Sequence, residues 1–383
     1  LFLRDRVLQV LADGYAPPRR LGAGQTLEVP VLGVGGVPAS GVSGVALNVT
    51  SVEASANGHL TVWPCGTPRP ETSSVNFRAG VASPNAVVLP VNGTGAICVW
   101  SLVETDLVVD VSAWFADSAS MEAAQARLLS TREGIGSSTT PLAAGERLEV
   151  PVLAAGGVPA SGVSGVALNV TAVQPAANGH LTVWPCGSER PDTSSVNYRA
   201  GVASPNAVVV PVDDTGRICV WTLAKTHVIV DVSAWFADSA SMDAAAARLI
   251  DTRNGTGTVE VRLPAQRQLQ VPVLGLGGVP GSGVSGVALN VTSVQPSANG
   301  HLTVWPCGSA RPDTSSVNFR AGVASPNAVV VPVDATGTVC VWTFAETDVI
   351  VDVSAWFGVG ASMGVSSDRL VDTRTGIGPQ PAG

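Results

Sequence analysis

The sequence predicts an all-β chain, a tandem array of three β-sandwich domains of immunoglobulin-like or jelly-roll-like type joined by short linkers. Three observations carry this. The string GVSGVALNVT ends at Thr50, Thr171 and Thr292, a spacing of 121 residues kept without an insertion. Within each copy, short Val-rich runs alternate in hydrophobicity with period two and are bounded by Gly, Pro, Asn and Asp. The cysteines fall two per copy, Cys65 with Cys98, Cys186 with Cys219 and Cys307 with Cys340, each pair 33 residues apart.

The repeat divides the chain into 1–121, 122–242 and 243–363, leaving 364–383 as the start of a truncated fourth copy or a linker. ANGHLTVWPCG, AGVASPNAVV and DVSAWF recur in all three copies, and Arg6, Arg127, Arg248 and Arg369 keep the same register through the linkers. The last residues, DRLVDTRTGIG, repeat the linker pattern, so the chain reads as a slice of a longer array. Copy one departs from it: QVLADGY stands where the other copies have STREGIG and DTRNGTG. No initiator Met or basic signal region stands at Leu1, which reads as an internal cut or a mature end.

Taken in order, the first copy predicts eight strands: Arg6–Val10, Leu27–Leu32, Val45–Val52, His59–Pro64, Thr72–Arg78, Ala86–Val91, Ala96–Leu102 and Leu107–Phe115. Their spacing of about 8–12 residues is that of a sandwich or barrel. Asn57-Gly58 and Asn92-Gly93 supply turn residues that accept positive φ, and Pro38 and Pro84 punctuate loops. In the last strand, strict alternation puts Leu107, Val109, Val111, Ala113 and Phe115 on one face and Val108, Asp110, Ser112 and Trp114 on the other. SMEAAQARLL around Met121 carries the one helix-like signal, but its counterpart SMGVSSDRL does not keep it, and the stretch reads as a short hinge.

Composition narrows the function. A net charge of -8 repels phosphate backbones and anionic membranes, so nucleic-acid binding is not expected. Lys225 is the only lysine, which excludes a recurring lysine crosslink. Mean hydropathy is +0.32, yet no apolar run approaches the ~20 residues of a spanning helix, and membrane insertion is not expected. Only 13% of residues are charged, a composition that tolerates close packing against neighbours.

The paired cysteines predict three disulfides and therefore an extracellular or cell-surface location. Each bridge closes a loop worth about 3–4 kcal/mol by loop entropy. A metal site built from His59 and two cysteines lacks the short paired spacings of zinc motifs, and no metal or cofactor is expected. A hydrolase reading recruits Ser112, His59 and Asp110, but there is no Gly-x-Ser-x-Gly elbow, and Asp110 and Ser112 share one strand. The simpler assignment pairs Asp110 with an arginine such as Arg78 and uses Asn48, Asn76 and Asn85 to bond turn backbones. Asn48-Val49-Thr50 matches a glycosylation acceptor pattern that strand alternation also explains. Of the tryptophans, Trp63 and Trp100 read as core. Trp114, Trp235 and Trp356, facing away from the valine row, are the candidate exposed aromatics, and an aromatic face suits a sugar ring.

RLLSTREGIG or RLIDTRNGTG, followed by GGVPASGVSGVALNVT, NGHLTVWPCG, SSVNFRAG, SPNAVVVPV and VIVDVSAWF, resembles a repeat of secreted and surface proteins of actinobacteria over essentially the whole chain. The resemblance implies a scaffold, adhesive or wall-associated role and brings no catalytic residues. The function expected is thus non-enzymatic: an extracellular structural or adhesive repeat protein that forms a rod, filament or surface layer by non-covalent self-association. Its partners would be other copies of itself and cell-wall glycan. The alternative is a multivalent carbohydrate- or cell-wall-binding module.

Overall fold

A computed structural model describes residues 18–382 apart from Ser138 and Ser362. The expected strand Arg6–Val10 and the divergent QVLADGY stretch lie outside the described residues. The first copy forms β1 (Thr26–Pro30), β2 (Val42–Val52), β3 (Gly58–Pro64), β4 (Val75–Phe77), β5 (Ser83–Pro90), β6 (Ala96–Ser101) and β7 (Asp106–Ala116). These match the seven other expected strands to within a few residues, because Val, Ile and Trp fill the runs and Gly, Pro and Asn end them. Among the described residues there is no α-helix.

The strands make six antiparallel sheets of four strands each, arranged as a ring. In the first copy, one sheet has the order β1-β6-β3-β4. A second contains β7, β2 and β5, and the two enclose one core that includes Leu27, Val29, Val45, Leu47, Val49 and Val109. The second sheet thus has only three strands of its own copy, and its fourth comes from elsewhere in the chain.

The expected hinge around Met121 is a strand, β8 (Met121–Ser130), entered through a single 3-10 turn at Asp117–Ala119. It adds to His227–Ala237 of the second copy, with Arg127 opposite Asp231 and Met121 opposite Phe236. Met242–Asp251 joins Asp348–Gly358 of the third copy in the same way. Met363–Asp372 then returns to β7, with Arg369 opposite Asp110. The Ala-rich run has good helix propensity, but the open edge of the neighbouring sheet satisfies its backbone and buries Leu129, so tertiary pairing overrides it.

This corrects the expected row of separate sandwiches with short linkers. The connecting segments are sheet strands, the copies close on themselves, and residues 364–382 complete the first copy instead of starting a fourth. Leu370 and Val371 lie in the first copy's core. The linker arginines now have a reason for their register. Arg127, Arg248 and Arg369 each form an ion pair at 2.8 Å with a buried aspartate of the sheet they join, Asp231, Asp352 and Asp110. Burial pushes these carboxyls upward from their ordinary range, and the arginine hydrogen bonds oppose it. The expected Asp110–Arg78 pair is therefore replaced by Asp110–Arg369.

After each exchanged strand the chain turns at Gly136, Gly257 or Gly378, the last glycine of the repeated turn motif. All three have positive φ, and a Cβ at Gly257 would stand 2.0 Å from the Leu249 carbonyl oxygen. Only glycine fits there.

A bulge corrects the strict alternation of β7. Val111 pairs with Leu47 and Ala113 with Ala46, so Ser112 is an extra residue, and its hydroxyl donates to the Ala46 carbonyl at 3.1 Å. Beyond it the faces swap. Leu107, Val109 and Val111 face the core of their own copy, Trp114 packs partly buried against that same core, and Ala113 and Phe115 turn to the centre of the ring. Phe115, Phe236 and Phe357 meet there as a triangle with every pair of ring centroids 5.4 Å apart.

A second layer of the centre is polar and cyclic. The Asn85 side chain donates to Asn169 Oδ1, Asn206 to Asn290 and Asn327 to Asn48, each at 3.0 Å. In return Ala207, Ala328 and Ala86 donate their backbone N–H groups to Asn85, Asn206 and Asn327. Every copy is therefore bonded to the next by fully partnered buried amides. Asn48 is buried in this layer, which removes it as a glycosylation acceptor.

Replacing Phe236 with alanine should destabilise the ring by about 3–5 kcal/mol, measured by denaturant unfolding, because the centre cannot collapse around the cavity. Deleting residues 363–383 should lower the melting temperature and produce dimers or aggregates in sedimentation, through the exposed β7 edge. Adding the excised strand as a peptide should reverse this.

Candidate binding basin on the threefold axis

The start of β5 and its counterparts leads from the Asn layer to one end of the ring. Ser83 and Pro84 border an open basin, Asn85 and Ala86 form the inter-copy layer beneath it, and Val88 joins the phenylalanine core below that. The basin has a volume of about 1410 Å³ and is lined by all three copies. Its walls are the repeated motifs: NGH at 57–59 and 178–180, the NFRAG or NYRAG stretches, and GVASP. The motifs kept in all copies, distant in sequence, converge here because the ring is closed.

Arg78, Arg199 and Arg320 line the basin and are exposed. Burial, followed by the charges of Arg320 and Arg78, pushes the Arg199 guanidinium below its ordinary value. Asp192 is the acidic residue of the lining. Arg248 and Arg253 also reach it but are tied to Asp352 and Asp251.

In each copy a histidine, a tryptophan and an arginine stack, and the histidines of the first two copies, His59 and His180, line the basin. His59 lies 5.5 Å from Trp100, His180 from Trp221 and His301 from Trp342. The guanidinium carbons of Arg69, Arg190 and Arg311 stand 3.9, 4.1 and 4.0 Å from the same tryptophan centroids. Burial, then the arginine charge, pushes all three histidines below 6.5. Both effects favour the neutral imidazole, and the arginines of the lining carry the basin's positive charge.

The structure separates the other candidate residues. Ser112 bonds the Ala46 carbonyl, Asp110 bonds Arg369, and His59 sits at the basin rim, so the hydrolase trio is not assembled. Cys65–Cys98, Cys186–Cys219 and Cys307–Cys340 are disulfides, which indicates an oxidising compartment. Glu149 lies near Cys186 and Cys219, but the bridge removes both thiolates as metal ligands. Trp63 is buried and donates its indole N–H to the Thr67 carbonyl at 3.1 Å, as a core residue should. Trp114, Trp235 and Trp356 are half-buried and pack against the three cores, and Trp100, Trp221 and Trp342, beside the stacked histidines, are half-buried as well. Alternation placed Trp114 away from the valine row, and the bulge at Ser112 turns it toward that core instead. The stacking arginines were readable in one respect: within an otherwise variable loop, the Arg-Pro pairs starting at Arg69, Arg190 and Arg311 keep the 121-residue register.

No helix among the described residues is long and apolar enough to cross a membrane. No family model matches the chain, and no curated protein matches it. Among solved structures, a chain from "The Triple Jelly Roll Fold and Turret Assembly in an Archaeal Virus" aligns at 9% identity and TM-score 0.20, covering 93% of this chain and 94% of that one. A chain from "Life in the extremes: atomic structure of Sulfolobus Turreted Icosahedral Virus" aligns at 9% identity and TM-score 0.19, covering 91% of this chain and 85% of that one. At such TM-scores the likeness carries no argument.

In a proton NMR titration, the ring protons of His180 should show a midpoint below 6.5, and Arg190→Gln should raise it by removing a neighbouring positive charge. A midpoint at or above 6.5 in the parent protein contradicts the stacked geometry.

Proposed function

We propose that the chain is an extracellular structural or adhesive element that works as a preassembled ring, presenting three copies of one surface at fixed spacing. The observation that carries this reading is the closure itself. Strand exchange, the asparagine layer and the phenylalanine triangle lock the copies into one body, and a rigid threefold unit is suited to repeated contacts. A filament or surface layer then arises from contacts between rings, not from extension along the chain. The low charge of the sequence, 13%, favours such packing. A non-enzymatic role is supported by the dispersal of Ser112, His59 and Asp110 among structural partners. The three disulfides suit the extracellular or cell-surface location, and the repeat's resemblance to actinobacterial surface proteins is part of the same proposal.

The second reading, multivalent binding to cell-wall glycan, draws on the threefold basin. Sugar stacking on Trp100, Trp221 and Trp342 is disfavoured, because a guanidinium already lies over each ring.

Electron microscopy of native material, paired with retention on isolated cell envelopes, tests the proposal. Ordered stacks or sheets with the ring as their repeat, held on the envelope, are expected. Dispersed rings that wash off the envelope would overturn it.

A further inference from the structure

The basin combines features that the structural role does not require. Most arginines among the described residues are engaged: Arg127, Arg248 and Arg369 hold buried aspartates, and Arg69, Arg190 and Arg311 cover tryptophans. Arg78, Arg199 and Arg320 make no ion pair and no side-chain hydrogen bond among the described residues, yet all three copies direct them to one basin. Such a concentration costs electrostatic free energy, as the mutual effect of these charges on Arg199 records. It also stands against the character of the whole chain, whose net charge is -8. With Asp192 as the acid of the lining, the uncompensated charge of the basin is positive.

We infer that the basin is a binding site for a phosphate-bearing polyanion, gripped on the threefold axis by Arg78, Arg199 and Arg320. A planar guanidinium offers paired N–H donors that match phosphate oxygens, and three of them around an axis suit a ligand carrying several phosphates. Size excludes a lone phosphate as the intended occupant. Ligand pockets for small molecules run about 300–1,000 Å³, and this basin, at about 1410 Å³, takes an oligomer or the turn of a polymer. One ligand per chain follows from the axis, since each copy supplies one arginine and no copy holds a complete site. The inference goes beyond the assembly proposed above and does not depend on whether rings associate.

Calorimetry of the intact oxidised protein with short-chain polyphosphate tests it. One equivalent should bind per chain, with affinity falling as salt rises from about 50 to about 200 mM. Arg78→Gln, Arg199→Gln and Arg320→Gln should each weaken binding roughly tenfold, and the triple variant should abolish it. Arg267→Gln, an exposed arginine outside the basin lining, should leave it unchanged. Polyglutamate of matched charge should bind less tightly. The inference is overturned by absence of binding at low salt, three equivalents per chain, single variants that bind like the parent, or tighter binding of polyglutamate. The single variants keep the test decisive if the triple variant does not fold.

Discussion

The architecture depends on one unpaired edge. Each copy builds a four-stranded sheet and a second sheet that ends, within the copy, at the strand equivalent to β7. An open edge in the middle of a folded body leaves backbone donors and acceptors without partners and a core without its cover. The chain solves this by donating a strand across each copy boundary, and with three copies the last donation returns to the first. The Arg–Asp pairs of the exchanged strands fix their register, and everything at the centre of the ring follows from the closure. Phe115 and its equivalents meet only because three sheets face one axis. The asparagines find one another for the same reason.

Much of this fold was legible in the sequence at the level of strands. Seven strands of the first copy follow directly from alternation and turn residues, and the disulfides follow from paired, evenly spaced cysteines. The ring was not legible, because an exchanged strand and a strand kept at home carry the same local pattern. Periodicity reports that Arg127, Arg248 and Arg369 are equivalent, but not which copy each one serves. The bulge at Ser112 was hidden too: DVSAWF contains no glycine, and its alternation looks unbroken until Ala46 and Leu47 are seen to pair with Ala113 and Val111.

The site was legible only as a set of constants. Asn76, Arg78 and the GVASP segment recur in each copy, and a structural role for them was the simplest reading of one copy considered alone. That reading holds for Asn85, which bonds two neighbouring copies. It fails for Arg78, whose presumed partner Asp110 is taken by an arginine 259 positions further along the chain. A single copy presents one free guanidinium, which means little. Three around an axis make a field, and only the closed ring brings them together.

That same separation governs how the protein comes into being. Contacts between residues 259 apart form late, since a long loop must close before they return any stabilisation. Copies two and three receive their missing strand from the segment just ahead of them and can complete themselves as the chain emerges. Copy one, in the closed ring, is completed by Met363–Asp372, the last of the described strands to be made, so its closure couples the two far ends of the fold.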